Sequence, residues 1–478
     1  MHIPLVLAFA AVVAADTTTT INPSTNWGTW DGWGTSLAWW AKEFGNRDDL
    51  ADIFFTTRTT SFSGTSVPGL GLNIVRYNAG ACTTNSINGE SMVVSPKMIS
   101  SRQVDAYWTN WNSSDPSSAS WNWKVDSNQR DMLGKARDRG VNHFELFSNS
   151  PVWWMCKNHN PSGADSGGDN LQTWNVQNHA VYLATIAKYA KDHWAINFGT
   201  VEPFNEPASD WWKGQTGTQE GCHFDVSSQP PVITALRTEL NSRGLSSTLI
   251  SASDENSYDL AVTTYNGLKS AGVLGSVGQI NVHGYQEANG KRDVLYSLAS
   301  TGGKKLWNSE YGEGDATGKR LASNLILDFR WLHPTAWVYW QVLDGGGWGL
   351  IDADNDKGTT GAFNQKYFVL AQFTRHIREG MRILDGGSSN VVAAYDAKNM
   401  KLVIVAVNWG DAQYLNFELG KFAKVVDGST VARWATTIGS GSGSRYVAAT
   451  DTKISGTKFW SWFESNTIQT FEVPNVTL

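Results

Sequence analysis

"KLWNSEYG", Lys305 to Gly312, is the stretch from which the fold is read. It opens on apolar residues, turns polar at Asn308 and Ser309, and ends by delivering a carboxylate, Glu310. A short run of this kind reads as a buried strand whose last residues leave the core. Seven other stretches share the design: "GWGTSLAWW" (32–40), "GLNIVRYNAG" (71–80), "HFELFSNSP" (143–151), "TVEPFNEP" (200–207), "LISASDE" (249–255), "QINVHGY" (279–285) and "AWVYWQ" (336–341). Amphipathic segments separate them. Leu183, Ile186, Ala187, Ala190 and Trp194 share one helical face; Leu321, Leu325 and Leu332 share another, stopped by Pro334. Leu370, Phe373 and Ile377 mark a last helix, with Gly380 as its cap. Eight alternations of strand and helix predict a closed (β/α)8 TIM barrel of the α/β class. An open doubly wound sheet would carry a glycine-rich phosphate turn after its first strand, and "GWGTSL" lacks the third glycine.

Beyond Gly380 the helical period is lost. "KLVIVAVNWG" (401–410), "YLNFELG" (414–420) and "IQTFEV" (468–473) read as strands, and "GSGSGSR" (439–445) as a loop. The expected organisation is a leader at 1–15, an N-terminal strand at 16–30, the barrel at 31–380 and a β-sandwich at 381–478. The extended segment "TTTTINPS" is expected to pair with the C-terminal sheet. Ile3 to Val13 is apolar and small residues follow at Ala14 and Ala15, as in a secretory signal. At that length it is too short to span a bilayer, so a secreted protein is expected.

The chain has 478 residues, Lys+Arg 38 against Asp+Glu 44, for a net charge of -6. That balance argues against nucleic acid and against anionic membranes as partners. Its 24 tryptophans can fill a core or line a sugar-binding groove, since a flat indole stacks on the C–H face of a pyranose. Sequons stand at Asn112 and Asn475. Three cysteines, Cys82, Cys156 and Cys222, leave room for one bridge; Cys156 with Cys222 is the plausible pair. No cluster of Cys or His has metal spacing, and neither a metal nor another cofactor is expected.

In a (β/α)8 barrel the chemistry sits at the C-terminal strand ends. Glu206 closes the fourth run and Glu310 the seventh, so the two carboxylates face each other across the mouth. Two facing carboxylates are what glycosidic cleavage requires. Other rim acids compete: Asp254 and Glu255 are the next choices, Glu145 and Asp315 follow, Glu202 belongs to a buried network, and Glu313 faces solvent. Arg76, ending the second run, is placed to hold Glu310 ionised, or else forms a structural ion pair. His283 is either a structural histidine or a partner of a hydroxyl or carboxylate. Trp340, Trp153 and Trp154 are candidate stacking platforms, with one of the adjacent pair expected in the core because neighbours on a strand face opposite ways. "IDADNDKG" (351–358) imitates a calcium loop, but Phe363 stands where the bidentate glutamate belongs, so it reads as a solvated loop.

"GWGTSLAWWA", "GLNIVRYNAGAC", "FELFSNSPVWWM", "VEPFNEP", "INVHGYQ", "LWNSEYG" and "VYWQ", in this order, resemble glycoside hydrolase family thirty over nearly the whole chain. "NHNPSG" and "GTQEGCHFDVSS" are most similar to its fungal secreted members that cut β-1,6-galactan. The resemblance implies endo-hydrolysis of β-1,6-galactan, as in arabinogalactan side chains, with retention. It implies Glu310 as nucleophile and Glu206 as acid/base, kept protonated by its neighbour's charge. It implies Asn205 on the sugar 2-OH, Tyr285 on the nucleophile, and Trp340 under the sugar beside the cleaved bond. Family members that cut glucuronoxylan grip the uronate with a basic residue near 351–358; here that loop is acidic and holds no arginine. A β-1,6-glucanase or xylanase of the same family remains the alternative, and a sugar-binding protein without chemistry the more distant one. The chain is expected to act on polysaccharide as a monomer.

Overall fold

The computed structural model describes residues 16–441 and 443–478. The expected leader at 1–15 lies outside the described residues. Eight parallel strands close into a barrel: β1 Gly32–Ser36, β2 Ile74–Asn78, β3 His143–Phe147, β4 Thr200–Glu202, β5 Leu249–Glu255, β6 Val277–His283, β7 Lys305–Tyr311 and β8 Ala336–Tyr339. Each falls inside one of the eight runs read from the sequence, apart from two residues at the start of β6. They are buried almost throughout, because side chains fill one face and helices cover the other. Ile74, Trp307, Ala336 and Val338 plug the interior toward its N-terminal end.

The surrounding helices follow local rules. Pro230 and Pro231 stand in the first turn of Gln229–Ser242, where a missing N–H costs nothing. Ser257 accepts from Leu260 N and starts Tyr258–Ser270. Two helices end differently from their periodicity. Val176–Tyr189 and Lys319–Leu327 both run into a wider π turn, Ala190–Trp194 and Asp328–Leu332, which shifts the face of the last residues. The last helix is Gln365–Thr374; Ile377 is buried just beyond it, where its carbonyl accepts the Trp33 indole N–H at 2.6 Å.

The C-terminal segment forms two sheets. The larger has six strands in the order Arg382–Asp385, Val391–Asp396, Lys401–Asn408, Thr467–Val473, Thr430–Thr437, Val447–Lys453. The smaller joins Gln413–Glu418 to Lys458–Phe463 and, in parallel, to the N-terminal strand Thr17–Thr20. Ile404, Phe417, Phe459 and Phe471 fill the space between them. The other face of the large sheet packs on the barrel, with Val403 and Val405 in the same core as Phe373. Lys401–Asn408 is covered on both sides, which is why it reads as an unbroken apolar run. Among the described residues no helix is long and apolar enough to cross a membrane.

The segment 351–358 differs from the expected loop. Ile351–Asp354 pairs antiparallel with Thr359–Phe363, and the acids are satisfied inside this hairpin and beside it. Asp354 accepts from Asp356 N and Lys357 N, and pairs with Lys357 Nζ at 2.7 Å; Asp356 accepts from Ser101 N. The three cysteines are free and buried, so the bridge between Cys156 and Cys222 is not formed. Each of those two thiols instead turns toward backbone carbonyls, of Pro151 and of His223.

Candidate active site

The upper half of the barrel interior is polar and is organised around one guanidinium. Arg76 lies two residues past Ile74 on β2, hence on the same inward face, and is wholly buried. It donates from Nε to Glu145 at 2.8 Å, from Nη1 to Glu310 Oε2 at 3.0 Å, and from Nη2 to Asp254. Its planar fork serves three carboxylates in fixed directions, which an ammonium could not do. Glu145 is further held by Thr200, Ser251 and Asn281. It sits below the mouth and is saturated by these donors.

Strand bulges bring the rim acids into this cluster. With Trp307 facing inward, simple alternation on β7 sends Ser309 inward and Glu310 outward. The register with β6 shifts between Val282, paired with Asn308, and His283, paired with Glu310. The extra residue lets both turn inward: Ser309 donates to Asp254 at 2.5 Å and Glu310 meets Arg76. β5 has a similar shift at Asp254, whose φ is +54°. Glu206, past the end of β4, also takes a left-handed φ of +48° and is anchored by Glu206 N to Asp254 O at 2.8 Å and by the Trp212 indole to Glu206 O at 2.9 Å. An uncommon backbone held from two sides points to a demand on the side chain it aims. Gly284 lets β6 pass: a Cβ there would lie 2.7 Å from Asn324 Nδ2 and 2.8 Å from Asn308 Nδ2.

Glu206 and Glu310 meet over His283. One oxygen of each lies within 4.8 Å of the other. His283 Nδ1 is 3.0 Å from Glu206 Oε1 and 3.4 Å from Glu310 Oε1, and its Nε2 is 3.4 Å from Asp254 Oδ1. Tyr285 donates to Glu310 Oε1 at 2.8 Å, and Asn256 to Glu206 Oε1 at 2.8 Å. Both oxygens of Glu310 therefore receive donors, whereas the donors to Glu206 fall on Oε1.

Burial pushes the Glu310 carboxyl up, to about 7; His283 and Arg76 pull it down and Glu206 adds to the rise. Burial opposes the charge on His283, but Glu310, Asp254 and Glu206 outweigh it and lift the imidazole to about 10, so it is an imidazolium at neutral pH. Asp254 is buried too, yet Arg76 and His283 hold it below the usual carboxylate range. Arg76 and Tyr285 donate to Glu310 and so favour its charged form, against the burial that lifts it.

The pair opens into a cleft of about 440 Å³, walled by Asn205, Trp211, Trp212, Trp340, Trp348 and the segment 216–219. Asn205 is buried at its floor with Oδ1 unpartnered. Of the residues proposed from sequence, the structure brings together Glu206, Glu310, Asn205, Tyr285, Arg76, Trp340 and His283. Trp153 and Trp154 are corrected. Both lie in a short helical turn, Trp153–Met155, rather than on a strand, and both are core residues. The Trp153 indole donates to Thr83 and that of Trp154 to Trp108 O, away from the cleft. Glu313 is likewise buried, paired with Lys366 at 3.1 Å, and not solvent-facing. Glu255 points behind β5 to Thr264 and Gln229. Sequence reading missed Asn256, which follows the fifth run directly, and Trp211, Trp212 and Trp348. These three sit in loops after β4 and β8, where only the general excess of tryptophan announced them.

An inward-facing carboxylate pair at the mouth of a parallel barrel, in a groove walled by indoles, has the build of a glycoside hydrolase. The comparisons with known proteins agree. A family model described as "O-Glycosyl hydrolase family 30" matches residues 11–273. An endo-beta-1,6-galactanase of Hypocrea rufa is 59% identical over 471 residues, covering 98% of this chain and 97% of that protein. Two solved structures share the fold: a conserved exported protein from Bacteroides fragilis (TM-score 0.77, 16% identity, 96% of this chain and 100% of that one) and the catalytic domain of GH30 xylanase C from Talaromyces cellulolyticus (TM-score 0.69, 21% identity, 95% and 99%). The chain belongs to glycoside hydrolase family 30.

Proposed function

We propose that the protein is a secreted, retaining endo-β-1,6-galactanase that works by double displacement, with Glu310 as nucleophile and Glu206 as acid/base. The observation that carries the chemistry is the approach of the two carboxyl groups to within 4.8 Å, oxygen to oxygen, across His283. Retaining enzymes hold their carboxyls about 5–5.5 Å apart, and inverting ones about 6.5–9.5 Å to admit a water. In the first step a Glu310 oxygen attacks the anomeric carbon. The bond to the leaving O6 breaks, and O6 takes the proton from Glu206 Oε2. In the second step Glu206 removes a proton from water, the water oxygen bonds to the anomeric carbon, and the ester releases Glu310 as carboxylate. His283 stays protonated throughout and offsets the negative charge that passes between the two acids. Asn205, with its unpartnered amide oxygen beside the acid, is suited to a sugar hydroxyl. Trp340 and Trp348 supply apolar walls.

Galactan as substrate is supported by the 59% identity to the Hypocrea rufa endo-beta-1,6-galactanase. Secretion rests on the apolar stretch Ile3 to Val13, and a monomer is the simplest state for a cleft formed within one chain. The test is a side-by-side assay on β-1,6-galactan, β-1,6-glucan and xylan, with the anomer of the first-formed product read by NMR. Cleavage of galactan to β-configured reducing ends is expected. Cleavage of glucan or xylan with galactan untouched refutes the substrate, and an α-product refutes the mechanism.

A further inference from the structure

The three-stranded sheet at the C-terminal end buries one face through Leu415, Phe417, Phe459 and Phe463. Its other face has no partner among the described residues, and such a face is ordinarily polar. Here the register sets Tyr414 beside Trp462 and Asn416 beside Trp460. The three aromatic residues are 43%, 44% and 46% exposed for Tyr414, Trp462 and Trp460. Tyr414 and Trp462 meet edge to face at 5.0 Å, and the Trp462 indole donates to Glu464 at 2.8 Å, which holds the ring in place. Tyr414 and Trp460 form a ridge between two grooves, one of about 500 Å³ and one of about 340 Å³. The wall facing the aromatics in the larger groove is polar, with Gln469, Thr437 and the Arg433–Asp451 pair at 2.6 Å.

We infer that this ridge is a second, non-catalytic binding site for the β-1,6-galactan chain of the polymeric substrate. The inference rests on the galactanase reading. Aromatic faces on one side and planar hydrogen-bonding groups on the other match the C–H faces and rim hydroxyls of a pyranose. Arg433 is neutralised by Asp451 and Lys458 stands opposite Glu418, so the grooves offer no net positive charge to a polyanion and suit a neutral chain. A 1,6 linkage has an extra rotatable bond, which lets successive sugars lie on either side of the ridge. The site raises the local concentration of polymer at the cleft without touching the reacting bond.

The test uses the full chain. In the Glu310→Gln background, retardation in native gels containing debranched arabinogalactan is compared with that of the Trp460→Ala/Trp462→Ala variant. Binding is expected to weaken about 5- to 10-fold, the scale of one or two lost stacking contacts, and to recover largely in Trp460→Phe/Trp462→Phe. In the active background, kcat/KM on the polymer falls while that on galactotetraose is unchanged. Unchanged retardation and unchanged polymer kinetics overturn the site. So does a shift from dimer to monomer on size exclusion with retardation unaltered, which assigns the ridge to a second copy of the chain. If the parent protein cuts no galactan oligomer, the galactanase reading has failed, and retardation by galactan in the same gels still decides this site.

Discussion

The hydroxyl of Tyr285 donates to Glu310 Oε1 at 2.8 Å, on the oxygen opposite the one held by Arg76. Glu310 is thereby fixed at both ends, and in the proposed mechanism both donors favour its charged form at the cost of dulling its attack. As an ester forms, one oxygen gives up its donor, and the other keeps its own. Tyr285→Phe is expected to lower kcat about 10- to 100-fold, the worth of a hydrogen bond to a charged group, with a folded protein and a smaller change in KM. A kcat within twofold of the parent would remove Tyr285 from the machinery.

In the proposed mechanism Glu206 acts through Oε2, since Asn256 and His283 both address Oε1. A leaving group that needs no proton should bypass it. Glu206→Gln is expected to lose about 100- to 10,000-fold on galactan, the usual share of general acid catalysis, but to keep a burst of released phenol from an activated aryl galactoside. Glu310→Gln should show neither. Loss of the burst in Glu206→Gln, or an inactive Glu255→Gln with Glu206→Gln intact, reassigns the acid.

The pH dependence follows from protons kept by the fold. Glu310, Glu220, Glu255 and Asp126 are all lifted to about 7, chiefly by burial. The unfolded chain releases the same protons near pH 4. Between these limits the native state binds more protons, so stability falls as pH rises from about 4.5 to 7. Thermal melts should give their highest Tm on the acid side of that range. A Tm that climbs steadily from pH 5 to 7.5 contradicts the assignment.

The barrel was legible because strand and helix alternate with few interruptions, and each run ends on residues too polar for a core. Glu206 and Glu310 were legible as run endings, but their orientation was not. Glu310 violates the two-residue alternation of β7, and a bulge, which sequence does not announce, turns it inward. Trp153 and Trp154 were misplaced for the complementary reason: "PVWWM" looks like the extension of β3, yet the chain has already turned into a helical step. The Glu313–Lys366 pair joins residues 53 apart through the interior, a relation that no local pattern records. A bridge between Cys156 and Cys222, plausible from their loops, depended on a distance and on side-chain directions that spacing cannot supply.

Arg76 has no solvent to fall back on, and three carboxylates depend on it. Arg76→Met leaves three buried carboxylates with His283 as the one cation beside Asp254 and Glu310 and none beside Glu145, and Arg76→Lys reaches too few of them. Each is expected to cost about 3–5 kcal/mol of stability, the range for removing one partner of a buried ion pair, and to abolish activity. Chemical denaturation measures the loss. Stability unchanged in Arg76→Met would mean that the acids take up protons and adapt, and activity would then show whether Glu310 is among them.

The tryptophans of the cleft and those of the barrel core have opposite expected effects. Trp348 is 40% exposed at the cleft, while Trp154 is buried against Trp108, with ring centres 5.0 Å apart. Removing Trp348 takes away an indole that rests on Gly312 and Gly314 with one side open to the cleft, so the fold depends on it less than on a core indole. Removing Trp154 opens a core cavity, which for a large aromatic costs about 3–5 kcal/mol, without altering the cleft. Trp348→Ala should therefore raise KM for galacto-oligosaccharides with Tm little changed, and Trp154→Ala should lower Tm with KM unchanged below the melt. If Trp154→Ala raises KM in a protein of native stability, the wall of the cleft extends further than these residues define, toward the indole stack of Trp108 and Trp121.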